Sequence, residues 1–94
     1  MDESKVVIVS RSGYSSEHDS LIEELLDTEL DLISIWGQDC ELWEEVIDEL
    51  AVGDASNIRD VTTSSHPRES LEEVIQFAEH WGTDKPSNVR IIEI

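Results

Sequence analysis

Short apolar runs rich in β-branched residues alternate with segments of helical periodicity along the whole chain, and this alternation constrains the fold more than any other feature. Val6-Val7-Ile8-Val9 is apolar without interruption. A strand of that kind is buried on both faces, which is the habit of parallel sheets. The same criterion places strands at Leu32-Ile33-Ser34-Ile35-Trp36 and at Val89-Arg90-Ile91-Ile92-Glu93-Ile94, and a weaker one at Ile58 to Thr63 around Val61. The stretch Thr63-Ser64-Ser65-His66-Pro67 reads as a polar turn.

Three helical stripes lie between these runs. Leu21, Ile22, Leu25, Leu26 and Leu30 share one face, with Ser16 and Asp19 as its N-terminal cap. Leu42, Trp43, Val46, Ile47, Leu50 and Ala51 share a second. Asp39 is suited to cap that helix and Gly53 to end it. Leu71, Val74, Ile75, Ala78 and Trp81 form the third. Ser70 and Glu73 have the spacing of a capping box, and Gly82 follows as a stop. Loops are expected at Asp54 to Asn57 and at Thr83 to Asn88.

The order β-α-β-α-β-α-β implies right-handed crossovers and an open sheet. The expected architecture is a small three-layer α/β sandwich. Four mostly parallel strands are flanked by three helices on both faces, in the Rossmann-like or flavodoxin-like manner. Residues 1–94 read as one domain, and the first expectation for strand order is 2-1-3-4.

Charge excludes more than it identifies. Twenty-three Asp and Glu face six Lys and Arg, a formal net charge of -17. Such a field repels nucleic acid, anionic lipid and phosphorylated ligands, and it attracts basic surfaces. Direct nucleic-acid binding and membrane association are therefore not expected. No apolar run approaches the ~20 residues needed to cross a bilayer. The acidic start and the single cysteine, Cys40, set the expectation of a cytoplasmic protein with no signal peptide and no disulfide.

The outward positions of the helices hold Glu23, Glu24, Asp27, Glu41, Glu44, Glu45, Asp48, Glu49, Glu72 and Glu73. Carboxylates at i, i+3 and i+4 form rows along a helix. The leading expectation is a non-enzymatic, acidic protein-binding module for a basic partner. It would act as an inhibitor that mimics nucleic acid in the groove of a nuclease or bacterial defence complex. The blander account of the same residues is a solvated, solubilising surface or an adaptation to high salt. Homodimerisation is a further expectation, through an edge formed by the second or the last strand.

The alternative is a small-ligand-binding or catalytic domain that uses the turns at the carboxyl ends of the strands. Those turns gather Arg11, Ser12, Tyr14, Asp39, Cys40, Ser64, Ser65 and His66, of which Arg11, Ser12, Asp39, Cys40 and His66 would carry the site. Cys40 would be a thiol at a helix N-terminus, with His66 as its base. Against this, Asp39, Glu41 and Glu44 disfavour a thiolate, and the plainer reading of Cys40 is a small residue packed beside a strand end. Asp39, Cys40 and His66 lack metal-ligand spacing, so no metal or cofactor is expected. Ser10-Arg11-Ser12-Gly13 matches neither phosphate-loop fingerprint, and Arg11 paired to a nearby acid explains it better. His18 and His80 read as solvated. Trp43 and Trp81 read as core, and Trp36 as a shield for the turns.

Val9-Ser10-Arg11-Ser12-Gly13, Trp36 to Glu45, Val61 to His66 and Glu69 to Ile75 together make the chain resemble an uncharacterised family of short bacterial α/β proteins. The resemblance spans nearly the whole chain. It implies bacterial origin and a shared small α/β fold, and it assigns no functional residue.

Overall fold

The computed structural model describes residues 4–28, 30–53, 61–82 and 88–94. Its strands are β1 (Lys5–Ser10), β2 (Leu32–Gly37), β3 (Thr62–Ser65) and β4 (Arg90–Glu93). Its helices are α1 (Asp19–Leu26), α2 (Cys40–Val52) and α3 (Leu71–His80), and a single 3-10 turn at Ser16–His18 leads into α1. The strands form one sheet, all parallel, in the order β3-β2-β1-β4. The α/β alternation read from the sequence is thus the observed architecture.

The strand order differs from the expected 2-1-3-4. β3 joins β2, not β1, with Ser34 opposite Ser64. The composition of the strands explains why. β1 is buried throughout and β2 over its first four residues, so both need neighbours on each side. Thr62 to Ser65 and Arg90 to Glu93 tolerate an edge. β2 is therefore an interior strand and offers no edge for dimerisation, whereas β4 does.

Alternation along the strands divides the interior into two layers. On one side of the sheet, Val6, Ile8, Ile33 and Ile35 pack with Ile22, Leu25 and Leu26 of α1 and with Cys40, Trp43, Ile47 and Ala51 of α2. On the other, Val7, Val9 and Leu32 pack with Val74 and Ala78 of α3, and Trp36 and Trp81 cover the margins. The Lys5 ammonium also lies on this second side and donates to the Glu79 carbonyl in the last turn of α3 at 3.3 Å. Helix C-termini favour a cation there.

Several ends differ from expectation. β3 begins at Thr62 and includes Ser64 and Ser65, which the sequence assigned to a turn. Ile58 to Asp60, the start of the expected third strand, lie outside the described residues, as do the expected loops at 54–57 and 83–87. α1 ends at Leu26, yet Leu30 still reaches the first core. Neither Ser16 nor Asp39 makes a side-chain cap. The capping box of α3 is present, with Glu73 N–H donating to Ser70 Oγ and Ser70 N–H to Glu73 Oε1. Donation from Ser70, first of all from its backbone N–H, stabilises the ionised form and holds the Glu73 carboxyl below its usual range.

Candidate functional site

In an open parallel sheet the chemistry belongs at the carboxyl ends of the strands, above all where the strand order reverses. Here that point lies between β1 and β4. The backbone closes it. Arg11 N–H donates to the Ile94 carbonyl at 2.9 Å, and Arg11 Nε pairs with Glu93 Oε2 at 3.2 Å across an exposed surface. Ser12 is exposed beside it.

The turn after β1 is also filled from within. Tyr14 N–H donates to Asp39 Oδ2 at 3.1 Å. Backbone N–H groups at a strand-to-helix turn are where such folds cradle an anion, and this one holds the protein's own carboxylate. Gly13 makes the approach possible, because its φ is +85° and a Cβ there would lie 2.6 Å from Asp39 Oδ2. Asp39 itself has a φ of 61°, a left-handed conformation that Asp tolerates better than most residues. Gly37 closes the other side of the turn. At φ +109° its missing Cβ would meet the Ser10 carbonyl at 2.2 Å.

Beneath this turn is an aromatic stack. Trp43 is fully buried and donates through Nε1 to Ser10 Oγ at 2.9 Å. Tyr14 meets its ring edge-on at 5.3 Å, and His18 stacks on it at 5.1 Å. His18 is therefore a lid on Trp43, not a solvated residue, because a stacked face shields the indole from water. The Tyr14 hydroxyl donates to Asp19 Oδ1, and this bond pushes the phenol up to about 12.

Cys40 and His66 do not meet. Cys40 is buried among the α1 and α2 side chains. His66 is buried on the opposite side of the sheet, and its ring lies 5.0 Å from that of Phe77. There it belongs to a chain of hydrogen bonds. Ser34 Oγ and Ser64 Oγ are 2.9 Å apart, Ser64 Oγ and His66 Nε2 are 2.9 Å apart, and His66 Nδ1 and Glu69 Oε1 are 2.7 Å apart. Trp36 Nε1 donates to the Glu69 carbonyl at 2.7 Å and so anchors the segment that carries the carboxylate. Ser64 and His66 share a face because they are two apart on an extended segment, and the β2–β3 register brings in Ser34. Sequence reading placed Ser64 beside His66 in the same turn but offered Cys40 as the partner of His66, and it missed Ser34 and Glu69. The i, i+2 spacing of Ser64 and His66 was visible only to a reader who continued the strand through Ser65.

The acidic residues sort into three groups. Glu24 on α1, Asp27 at its C-terminal cap, and Glu41, Glu45, Asp48 and Glu49 on α2 are exposed, and the two helices pack together on one side of the sheet. Glu23 there is half-buried. Glu44 and Asp48 fasten α2 to β3, by accepting from Ser65 Oγ at 2.9 Å and from Thr63 Oγ1 at 2.6 Å. Glu72 and the capping Glu73 are on α3, across the sheet. The ten carboxylates therefore do not make one surface. Among the described residues no cluster of His, Cys, Asp and Glu is arranged to hold a metal ion. Nor is any described helix long and apolar enough to cross a membrane.

An all-parallel sheet in the order β3-β2-β1-β4 with helices on both faces is the arrangement of the Rossmann-like α/β class. Within that class the chain belongs to the family described as a domain of unknown function, DUF7684, whose model matches residues 3–94. No curated protein and no solved structure matches it. A shared strand order carries no ligand with it, so function must be argued from the surfaces themselves.

Proposed function

We propose that this protein is an acidic protein-binding module of the cytoplasm that docks on a basic partner through the α1–α2 side. Its role is that of an inhibitor, with its carboxylates standing in for nucleic-acid phosphates in the groove of a nuclease or bacterial defence complex. The observation that carries this reading is that α1 and α2 pack together on one side of the sheet and between them bring exposed carboxylates to that side. Leu42 and Val52 lie on the same helix pair and are 43% and 47% exposed. Both are on α2 and add exposed apolar area to a helix rich in carboxylates, which supports a protein-facing role. The overall charge of -17 repels nucleic acid and anionic lipid from the same surface.

Electrostatic docking of this kind is fast and weakens steeply with salt. Affinity capture from native cells at low salt should retain a basic protein that high salt releases. The recovered protein, if a nuclease, should lose activity on addition of the module. Capture of nothing at low salt contradicts the reading.

A second copy of the chain is an additional partner in this proposal. Ile91 on the end strand β4 is 47% exposed, and β4 presents an edge.

A further inference from the structure

The hydrogen-bonded chain on the α3 side has an order and a polarity that a satisfied buried histidine does not need. Glu69 accepts from His66 Nδ1–H at 2.7 Å. That bond sets the tautomer and leaves the Nε2 lone pair facing Ser64, whose hydroxyl donates to it at 2.9 Å. Ser34, fully buried, donates in turn to Ser64 Oγ. Hydroxyl, imidazole and carboxylate thus stand in the sequence nucleophile, base, orienting acid, at the distances that activation of a serine requires. Such a constellation is recognised by geometry and not by fold or chain order.

The surroundings supply what the relay alone lacks. α3 packs on β1 and β2, and β3 is the end strand, so Ser64 is half-buried while Ser34 behind it is sealed. Phe77, beside the His66 ring, is 38% exposed and provides apolar surface next to the imidazole. The N–H groups of Thr62 and His66 turn inward to β2, at 3.0 Å from the carbonyls of Asp31 and Ile35. Alternation along a parallel strand then turns the N–H of Ser65 to the outer side, as a donor for a developing oxyanion.

We propose that Ser64, His66 and Glu69 form a catalytic relay for acyl transfer, with an uncharged ester or thioester bearing an apolar acyl group as substrate. The inference goes beyond the docking role and does not depend on it. The Ser64 oxygen attacks the acyl carbonyl as its proton passes to His66 Nε2. The carbon–oxygen (or carbon–sulfur) bond to the leaving group then breaks, and the leaving group departs with that proton. Water, deprotonated by the same nitrogen, attacks the Ser64 ester. The acid is released, and the proton returns to Ser64. Anionic acyl groups are disfavoured by the charge of -17.

The test uses the full chain with p-nitrophenyl butyrate and an alkyl fluorophosphonate. The fluorophosphonate should add to the intact protein with loss of fluoride, at a mass shift that peptide mapping assigns to Ser64. Ser64→Ala should abolish the adduct, and His66→Gln should lower p-nitrophenolate release by about 100-fold or more. Glu69 positions the imidazole, so Glu69→Gln should lower kcat and leave KM near that of the parent. The reagent on the unmutated protein needs no variant to fold. Folded protein that takes no adduct at Ser64 and releases p-nitrophenolate no faster than buffer overturns the proposal. So does turnover that folded Ser64→Ala retains.

Discussion

The two sides of the sheet are built by opposite means. Under α1 and α2 the interior is apolar and aromatic, and it is organised around Trp43, whose one polar atom reaches Ser10. Under α3 the apolar layer is smaller and gives way toward β3 to hydroxyls, an imidazole and a carboxylate. Outside, the contrast reverses. The α1–α2 side carries more of the exposed acids, and α3 carries fewer, one of which is committed to its cap. The difference teaches that stability and polar chemistry are segregated in this small fold. One side holds the larger apolar core, and the other holds the hydrogen-bonded chain of hydroxyls, imidazole and carboxylate.

The largest test of that division is Trp43→Ala, which should cost about 3–5 kcal/mol in chemical denaturation, since a fully buried indole leaves a large cavity. His66→Ala on the other side removes the partner of both Ser64 and Glu69. It should cost less, about 1–3 kcal/mol, as expected for an interrupted buried polar chain. Equal losses for the two would break the contrast.

Ser70→Ala removes the cap of α3 and should lower stability by about 1 kcal/mol. Because the folded Glu73 carboxyl is held below its ordinary value of 4.5, its contribution is present above that value and fades as pH falls through the depressed folded pKa. Glu73→Gln should therefore remove this slope from acid unfolding, whereas Ser70→Ala, which keeps the backbone donor, should remove only the smaller share of the hydroxyl.

Tyr14 has the opposite sign. Its phenol is pushed up to about 12 by donation to Asp19, so its contribution is complete below the ordinary value of 10 and is lost as pH rises through 12. A spectrophotometric titration should find the midpoint near 12, and Asp19→Asn should bring it down. The smallest change in stability is expected for Ile91→Lys on the exposed edge, within about 0.5 kcal/mol. It should nonetheless abolish any concentration-dependent dimer seen by light scattering.

Much of the fold was legible because each element carries its own signal. The uninterrupted Val6 to Val9 run, the three helical stripes and the Ser70–Glu73 box all report local physics. Strand order depends on which strand tolerates an edge, and the cue was present in Thr62-Thr63-Ser64-Ser65 against Leu32-Ile33-Ser34-Ile35. The capping role expected of Asp39 failed because its carboxylate is drawn across to Tyr14, a contact between two turns 25 residues apart. The relay was hidden for the same reason. Ser34 meets Ser64 only through the β2–β3 register, and Glu69 meets His66 only once the strand has ended. Residue types were readable and their convergence was not.

The central claim is that the α1–α2 side is the one that docks. Glu45→Lys and Glu72→Lys make the same change in charge at exposed helical positions on opposite sides of the sheet. Association rates should be measured for both variants against the basic protein captured at low salt. The account predicts a marked loss of rate for Glu45→Lys and a rate near that of the parent for Glu72→Lys. Equal loss in the two would mean that only net charge matters, and would contradict the claim.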